Sequence, residues 1–426
     1  MKQRDQLFNN KLIHTSIVNE VFGKDLLLLT SVNELFELEL ALIESRSLSQ
    51  QELLLRSAFF KSVNGNLTNH YKICRPFDGH ISEDRSAQTQ AYFQVGKYAT
   101  GYATHGLFPY RGKFHPQLIK GLLNILEIKR GDIVLDPMCG SGTLNVEASL
   151  LGIDSIGIDV SSFCRLLARV KCESLSLTPE YVESMSNNPD KWFNYFSTGN
   201  INDKLRKIRE PEKLKIYELA LLAYLDAMGY ARRVTKAGHK ELFEKVLKRY
   251  QTTVLQTIIN PVIKSSQLGT ANILEGDARC LPLDDSSIDC IITSPPYSFA
   301  IDYAENDAPQ LAFLGYNVDE LRTQMIGLAG RTKQQKLQRY FDDMKTVAQE
   351  IVRVLKSQKF AIIIIGSNTN QTGGIRLEQT IIDHFDSFNA PLVKSILKPI
   401  KGMRNMIKDL IDYFLRSIFP RDVVHA

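Results

Sequence analysis

The stretch Asp136-Pro137-Met138-Cys139-Gly140-Ser141-Gly142-Thr143 decides the fold, because it joins an apolar run at 132–135 to a predicted helix at 143–151. Its two glycines have no Cβ atom to block a ligand at the strand end, and they accept backbone angles that other residues resist. Free N–H groups at the helix start can bind a carboxylate. The stretch therefore predicts a turn that holds a nucleotide with an amino-acid tail, although such turns also arise from packing alone. No Gly-Lys-Ser/Thr follows, which excludes a P-loop.

Two aspartates stand at the ends of the predicted strands beside this turn. Asp136 follows the run 132–135 and offers a carboxylate suited to an ammonium group. Asp159 follows the next apolar run, 155–158, about twenty residues on, where an acid can bind the hydroxyl groups of a ribose. These acids favour a ligand site over a turn made only for packing.

The order of apolar runs and helical patterns predicts a doubly wound, Rossmann-like α/β sheet. Five β-runs are predicted, at 132–135, 155–158, 271–274, 288–292 and 360–365, with helices at 119–128, 143–151 and 340–355. We expect a mainly helical amino-terminal region at 1–95 and the sheet-containing domain at 96–426. Residues 34–60 have the apolar spacing of one or two amphipathic helices.

The predicted second and third strands are separated by a largely helical insertion at 161–267. It holds 18 Lys plus Arg against 11 Asp plus Glu. The basic residues include two clusters, Lys204, Arg206, Lys207 and Arg209, then Arg232, Arg233 and Lys236. A helical cap with solvated charges and an element that contacts DNA or recognises the target both fit this pattern.

The segment Thr293-Ser294-Pro295-Pro296-Tyr297 follows the fourth β-run, at the sheet edge where open α/β folds bind ligands. Two consecutive prolines cannot donate to a β-ladder, so they predict a stiff loop. The Ser294 hydroxyl and the Pro295 carbonyl can accept hydrogen bonds from an aromatic amino group, and Tyr297 offers a flat face for stacking a base. A rigid turn with a half-buried tyrosine is the alternative.

Together these two motifs resemble those of the amino-methyltransferases acting on DNA, specifically the enzymes that methylate N4 of cytosine. In that family, D-P-x-C-G-S-G-T binds S-adenosyl-L-methionine and T/S-S-P-P-Y is catalytic. The resemblance covers residues 106–408 and implies a site-specific enzyme on double-stranded DNA, with a restriction endonuclease as a possible partner. It implies that the catalytic residues are Ser294, Pro295, Pro296 and Tyr297, and that the cofactor is bound by Phe114, His115, Asp136, Pro137, Cys139, Gly140, Gly142, Thr143, Asp159, Asp277 and Ala278.

Related enzymes leave two other substrates open. Enzymes that methylate N6 of adenine more often carry Asp or Asn where Ser294 stands. RNA enzymes that methylate a guanine amino group can share the D-P-M-C-G-S-G-T turn, but they usually have Asp or Asn before Pro-Pro. A catalytically silent nucleic-acid-binding protein is a third reading. The segment after Asp409 also departs from the β-rich closing hairpin that the resemblance leads us to expect.

Composition and charge agree with a nucleic-acid partner without requiring one. The 426 residues are 44% hydrophobic and carry a net charge of +5, with a pI near 8.7. Six scattered cysteines form no C-x-x-C pair, so neither a metal site nor a disulfide framework is indicated, and a reducing, cytoplasmic setting is expected. The amino terminus lacks the apolar core of a signal peptide, and no apolar run is long enough to cross a membrane.

Overall fold

A computed structural model describes residues 20–23, 25–29, 31–32, 35–74, 101–110, 114–231, 238–296, 302–328, 330–366, 376–399 and 413–420. The chain divides into two compact units. The first comprises Met1–Tyr102 and Lys120–Glu127, and the second comprises Ala103–Ile119 and Ile128–Ala426. The predicted boundary between residues 95 and 96 lies outside the described residues, so it stays a prediction.

The first unit combines short helices with a small antiparallel sheet. Its elements are β1 (Leu26–Leu28), α1 (Leu35–Ser47), α2 (Gln50–Arg56), β2 (Phe60–Val63), β3 (Asn66–Leu67) and α3 (Asn69–Cys74), with sheet order β1-β2-β3. One or two helices were expected within 34–60; two are present, whereas Phe60 belongs to a strand. Buried Glu44 accepts hydrogen bonds from the Ala58 main-chain N–H at 2.8 Å and from Asn124 at 2.6 Å.

A seven-stranded sheet with order β6-β5-β4-β7-β8-β10-β9 organises the second unit. Its strands are β4 (Ile133–Asp136), β5 (Asp154–Asp159), β6 (Ala271–Glu275), β7 (Ile288–Thr293), β8 (Leu355–Gly366), β9 (Lys394–Pro399) and β10 (Tyr413–Pro420). Strands β4 to β8 run parallel to one another. The predicted doubly wound α/β fold is thus confirmed, and each of its five predicted strands is present.

The central strands are apolar because helices cover both faces of the sheet. Every residue of β7 is buried, and Ala361–Ile365 in β8 is buried as well. Outside the insertion, the described helices after α3 are α4 (Pro116–Ile125), whose residues are divided between the two units, and α5 (Thr143–Leu150), α13 (Tyr303–Phe313), α14 (Val318–Gln324), α15 (Lys333–Val354) and α16 (Leu377–Asp386). On α15, Leu337, Tyr340 and Met344 recur at helical spacing and are buried in one core with β7 and β8.

The insertion is helical, as predicted, throughout its described part. It contains α6 (Ser162–Glu173), α7 (Pro179–Ser184), α8 (Pro189–Ser197), α9 (Ile201–Leu205), α10 (Pro211–Ala231), α11 (His239–Ile258) and α12 (Pro261–Ser265). Its apolar side chains share one core with Phe108 and with Leu311 of α13, so the insertion is built into the second unit. Among the described helices, none is both long and apolar enough to span a bilayer.

The carboxyl-terminal segment corrects the doubt raised by the sequence after Asp409. Strand β10 pairs antiparallel with β8, where Ser417 lies opposite Ile363, and antiparallel with β9, where Ser417 lies opposite Ser395. The sheet therefore does end in a closing hairpin. Periodicity missed it because short strands that contain Lys, Arg and Pro depend on tertiary pairing more than on an apolar pattern.

Candidate active site

A cavity of about 820 Å³, counting its open mouth, lies at the carboxyl ends of β4, β5, β6 and β7. Segments that follow all four strands contribute to its wall. The lining residues from these segments are Pro137, Met138, Gly140, Asp159, Val160, Gly276, Asp277, Ala278, Ser294, Pro295 and Pro296. The strand order therefore brings together two motifs that are far apart in the sequence.

The two glycines of the turn have different structural roles. Both have left-handed backbone angles, with φ of +47° at Gly140 and +71° at Gly142. A Cβ atom on Gly140 would meet only the Tyr110 ring, at 3.8 Å, so this position faces open space at the cavity. A Cβ atom on Gly142 would lie 2.9 Å from Cα of Ala168, which is too close. Gly140 leaves room for a ligand, whereas Gly142 allows α5 and α6 to approach each other.

Asp136 connects the two motifs from beneath the cavity. Its Oδ1 accepts hydrogen bonds from the Thr293 hydroxyl at 2.7 Å and from the Met138 N–H at 3.2 Å. Burial raises the pKa of this carboxyl to about 7, although the Thr293 hydrogen bond opposes the shift. Its Oδ2 is buried and has no hydrogen-bond partner among the described residues. The glycine turn is thereby fixed to the strand that precedes Ser294.

Asp159 lines the cavity and also holds the glycine turn. Its Oδ2 accepts a hydrogen bond from the Gly140 N–H at 2.9 Å, and its Oδ1 accepts one from the Ser161 N–H at 2.8 Å. Burial raises the pKa of this carboxyl above its ordinary value, and these two hydrogen bonds oppose the rise. The side chain can therefore form part of the cavity wall while it fixes the backbone of the turn.

Ser294 presents its oxygen mainly as an acceptor. Its hydroxyl donates to the main-chain carbonyl of Ile364 on β8 at 3.0 Å. Because that bond uses the only proton of the hydroxyl, the remaining lone pairs can accept hydrogen bonds. Pro295 is buried and Pro296 is half-buried, and both line the cavity. Tyr297 lies outside the described residues.

Asp277 lines the cavity from the loop after β6. Its carboxylate is held by Arg279, whose main-chain N–H donates at 2.9 Å and whose guanidinium approaches to 2.6 Å. Arg279 also pairs with Asp343 at 2.9 Å. The acid is therefore fixed in place at the cavity wall, next to Ala278.

Comparison with known proteins shows that this chain is similar to methyltransferases. Residues 107–208 match the family described as UPF0020, an RMKL-like methyltransferase domain. The chain is 25% identical over 301 residues to the type II methyltransferase M.BsoBI of Geobacillus stearothermophilus, an alignment covering 56% of this chain and 59% of that protein. It is 24% identical over 305 residues to M.AvaI of Anabaena variabilis, covering 59% and 61%.

A second kind of relative matches over a shorter length. The tRNA (guanine(10)-N2)-dimethyltransferase of Methanocaldococcus jannaschii is 47% identical over 45 residues, which is 11% of this chain and 13% of that protein. The chain spans less than two thirds of the length of each of these relatives. It contains an S-adenosylmethionine-dependent methyltransferase domain.

Several residues of the methyltransferase cavity were missed by the sequence analysis. They come from segments outside the two motifs, namely Tyr110, Cys164, Gln324, Met325, Ile326 and Leu328. The Tyr110 hydroxyl lies 3.3 Å from the Cys164 thiol and donates to Asp307 at 3.4 Å. Burial raises the pKa of Asp307 to about 7. The rule that ligands bind at the carboxyl ends of parallel strands does not find such residues, because tertiary packing alone brings them to the cavity.

Other predicted residues of the methyltransferase site lie away from the cavity wall. Cys139 and Thr143 are buried, and Phe114 and His115 are half-buried at the start of α4. The Cys139 N–H donates to the Ile158 carbonyl at 2.9 Å, which joins the turn to β5. Burial raises the pKa of the Cys139 thiol, so it stays protonated at neutral pH. Direct cofactor contact stays a prediction for these four residues, as it does for the predicted residues that line the cavity.

Proposed function

We propose that the chain transfers a methyl group from S-adenosylmethionine to an exocyclic amino group of a base in double-stranded DNA, with N4 of cytosine as the target. We further propose that it is the modification enzyme of a restriction-modification system, which pairs it with a restriction endonuclease for the same site. The observation that carries the proposal is the single cavity shared by the glycine turn and the Ser294-Pro295-Pro296 segment.

The residues around the glycine turn fit the cofactor. The buried Oδ2 of Asp136, without a partner among the described residues, suits an ammonium group, and Asp159 at the cavity wall suits ribose hydroxyls. Open space above Gly140 leaves room for the ligand. Asp277, which lines the same cavity, is the acid that we assign to the adenine amino group. S-adenosylmethionine supplies an electrophilic methyl group on a sulfonium.

Ser294 can make the amino nitrogen of a base more nucleophilic by accepting a hydrogen bond from it. The lone pair of such a nitrogen is conjugated with its ring, so it attacks poorly. Hydrogen bonds accepted from its N–H groups draw it towards tetrahedral geometry, and Ser294 Oγ and the Pro295 carbonyl are suitable acceptors. Because Ser294 already donates to Ile364, its oxygen is oriented before the substrate arrives. This arrangement needs no covalent intermediate with the enzyme.

The remaining wall of the cavity suits a base that has left the duplex. Met325, Ile326 and Leu328 provide apolar surface, and Tyr303 adds an aromatic ring. A base inside a duplex cannot reach such a pocket, so it must be flipped out of the helix. Tyr297 stays the predicted stacking partner for the flipped base.

The lengths of the alignments favour DNA over RNA. The type II methyltransferases M.BsoBI and M.AvaI align with 56–59% of this chain and a third, M.MjaII, with 17% of it, whereas the tRNA enzymes align with 11–20%. Cytosine N4 is preferred over adenine N6 because serine, rather than Asp or Asn, precedes Pro295-Pro296.

The deciding experiment combines methyl transfer with analysis of the product base. Purified protein with isotope-labelled S-adenosylmethionine should label duplex DNA of mixed sequence, and mass spectrometry of the nucleosides should give N4-methylcytosine. N6-methyladenine would change the target base but keep the DNA substrate. No transfer to any duplex, with S-adenosylmethionine binding intact, would refute the proposal.

Methylation of a guanine amino group in tRNA is the second candidate. It is favoured by the 47% identity to a tRNA (guanine(10)-N2)-dimethyltransferase over 45 residues. The same labelled cofactor offered to bulk tRNA tests it. Labelled N2-methylguanosine, together with unlabelled DNA, would establish this activity in place of the first.

A further inference from the structure

The start of α15 carries a cationic surface, made of Arg331, Lys333, Lys336 and Arg339, which we call the basic strip. Arg331, Lys333 and Arg339 are exposed and Lys336 is half-buried. Residues 330–339 contain no acid. Within the part of the chain that the structure describes, none of the four cations forms an ion pair.

Other arginines near the cavity are already neutralised. Arg279 pairs with Asp277 at 2.6 Å and with Asp343 at 2.9 Å. Arg322 is surrounded by three acids, with distances of 3.2 Å to Asp302, 3.0 Å to Glu305 and 2.9 Å to Asp319. The charge of the basic strip, in contrast, is available to an anionic ligand.

The basic strip follows a residue of the cavity wall closely along the chain. Leu328 lines the cavity, and Arg331 follows three residues later. Gly330, with φ of +136°, folds the chain against the first turn of α15, because a Cβ atom there would lie 3.0 Å from the Lys336 nitrogen. The Gln335 side chain accepts from the N–H groups of Arg331 at 3.0 Å and Thr332 at 3.3 Å. The backbone under these cations is therefore held against the first turn of α15, a few residues along the chain from the cavity wall.

The spacing of the cations matches a chain of phosphates. Lys333, Lys336 and Arg339 recur every third residue, so they span about 9 Å along the helix axis. One strand of B-DNA places a phosphate about every 3.4 Å along its own axis, so this length corresponds to two or three phosphates. Cations at a helix start oppose the helix dipole, and a bound anion would offset that repulsion.

We infer that the basic strip binds the backbone phosphates of the DNA strand that carries the target base. This inference rests on the proposed function, since it takes the adjoining cavity as the pocket for that base. Phosphates next to a flipped nucleotide must lie at the rim of such a pocket. The strip then positions the strand without reading its sequence.

The salt dependence of DNA binding tests the inference. Binding of a 30-base-pair duplex of mixed sequence is measured by fluorescence anisotropy over a range of KCl concentrations, for wild type and R331Q/K333Q/R339Q. Each lost phosphate contact lowers the slope of log K against log[KCl] by about 0.9, so we expect a slope smaller by about 2 to 3. Affinity for S-adenosylmethionine, measured by calorimetry, should not change.

The matched control is K129Q/R130Q/K264Q, which removes three exposed cations before the amino ends of β4 and β6, opposite the cavity. Its slope should equal that of wild type. Equal slopes for all three proteins would overturn the inference while methylation of DNA by wild type still supports the proposed function. If R331Q/K333Q/R339Q lowers the slope for binding of tRNA but not for binding of duplex DNA, the inference is also wrong. If wild type methylates no DNA, the proposed function itself is wrong, whatever the slopes.

Discussion

Two loops meet at the cavity, the glycine turn and the Ser294-Pro295-Pro296 segment, and they differ in the share of their residues that lines it. In the glycine turn, Cys139 and Gly142 contact neighbouring segments of the protein, and the cavity is lined by Pro137, Met138 and Gly140. In the second loop, all three described residues line the cavity. A recognised motif can therefore be mostly scaffold or mostly contact surface.

This difference predicts two classes of mutational effect. Substitutions in the second loop should lower activity with little change in stability. Of the two glycines in the turn, Gly142 should lower stability when substituted, whereas substitution of Gly140 should mainly weaken cofactor binding. The following experiments test that division, beginning with the largest expected effect.

Ser294→Ala should lower kcat about 100- to 1000-fold, the usual cost of losing one oriented polar group that acts on the reacting atoms. Cofactor affinity and unfolding free energy should change little, because the side chain is small and half-buried. Ser287→Ala is the matched control, since that hydroxyl also donates to a carbonyl, of Asp284 at 2.7 Å, but before the amino end of β7. If Ser294→Ala lowers activity only as far as it lowers stability, the proposed role of the hydroxyl in catalysis is wrong.

Gly142→Ala should destabilise the protein by about 2–5 kcal/mol, because it adds the strain of a left-handed residue to overpacking against Ala168. Gly140→Ala should cost only about 1–2 kcal/mol from its backbone angle. That variant should weaken S-adenosylmethionine binding instead, because its methyl group lies at the cavity. Urea denaturation and calorimetry measure the two effects. Equal losses of stability in the two variants would erase the distinction.

Thr293→Val should cost about 1–3 kcal/mol of unfolding free energy, because the buried Asp136 carboxylate loses its 2.7 Å hydrogen-bond donor. Thr293→Ser keeps the hydroxyl and should retain most of that stability. Chemical denaturation of both variants at pH 7 measures the difference. If valine and serine prove equivalent, the bond between the two loops contributes nothing to stability.

Asp307 should make the stability of the cofactor-free protein depend on pH. Its folded pKa is about 7 and its ordinary value is 3.8, so between these values the folded state holds a proton that the unfolded state has lost. Stability contributed by this proton is present below about pH 4 and is lost as the pH rises to about 7, by about 1.4 kcal/mol per pH unit. Asp307→Asn should flatten the curve by that amount.

The control for this prediction is Tyr110→Phe. The Tyr110 hydroxyl donates to Asp307 and lowers the pKa of its carboxyl, so its removal should move the upper end of the pH window higher. Parallel stability curves for wild type and Asp307→Asn would show that Asp307 does not titrate as expected.

The sequence predicted the parallel part of the fold because buried parallel strands are nearly continuous apolar runs. Ile288–Thr293 is an example, since its only charged side chain, Asp289, pairs with Lys356 at 2.8 Å. The small sheet of the first unit and the closing hairpin could not be predicted in this way. Their strands are short or polar, and pairing with other segments determines them.

In the candidate site, the residues that follow the strands could be predicted, but the cavity residues contributed by other segments could not. Ser294 and Asp159 follow apolar runs, so a rule of topology places both at one edge of the sheet. Tyr110 and Leu328 follow no such rule, because they reach the cavity through packing of loops around the helices. Of the two basic clusters predicted in the insertion, the first, Lys204–Arg209, is among the described residues, whereas the second, 232–236, lies outside them.

The position of β10 has a consequence for synthesis on the ribosome. This strand lies between β8 and β9 in the sheet, although it follows both in the chain. One hydrogen-bonding edge of β8, which carries four consecutive isoleucines, therefore waits for its partner until Pro420 has been made. At about 5–20 residues per second that delay lasts several seconds. An apolar open edge is prone to aggregation, so yield during expression should depend on translation speed and on chaperones.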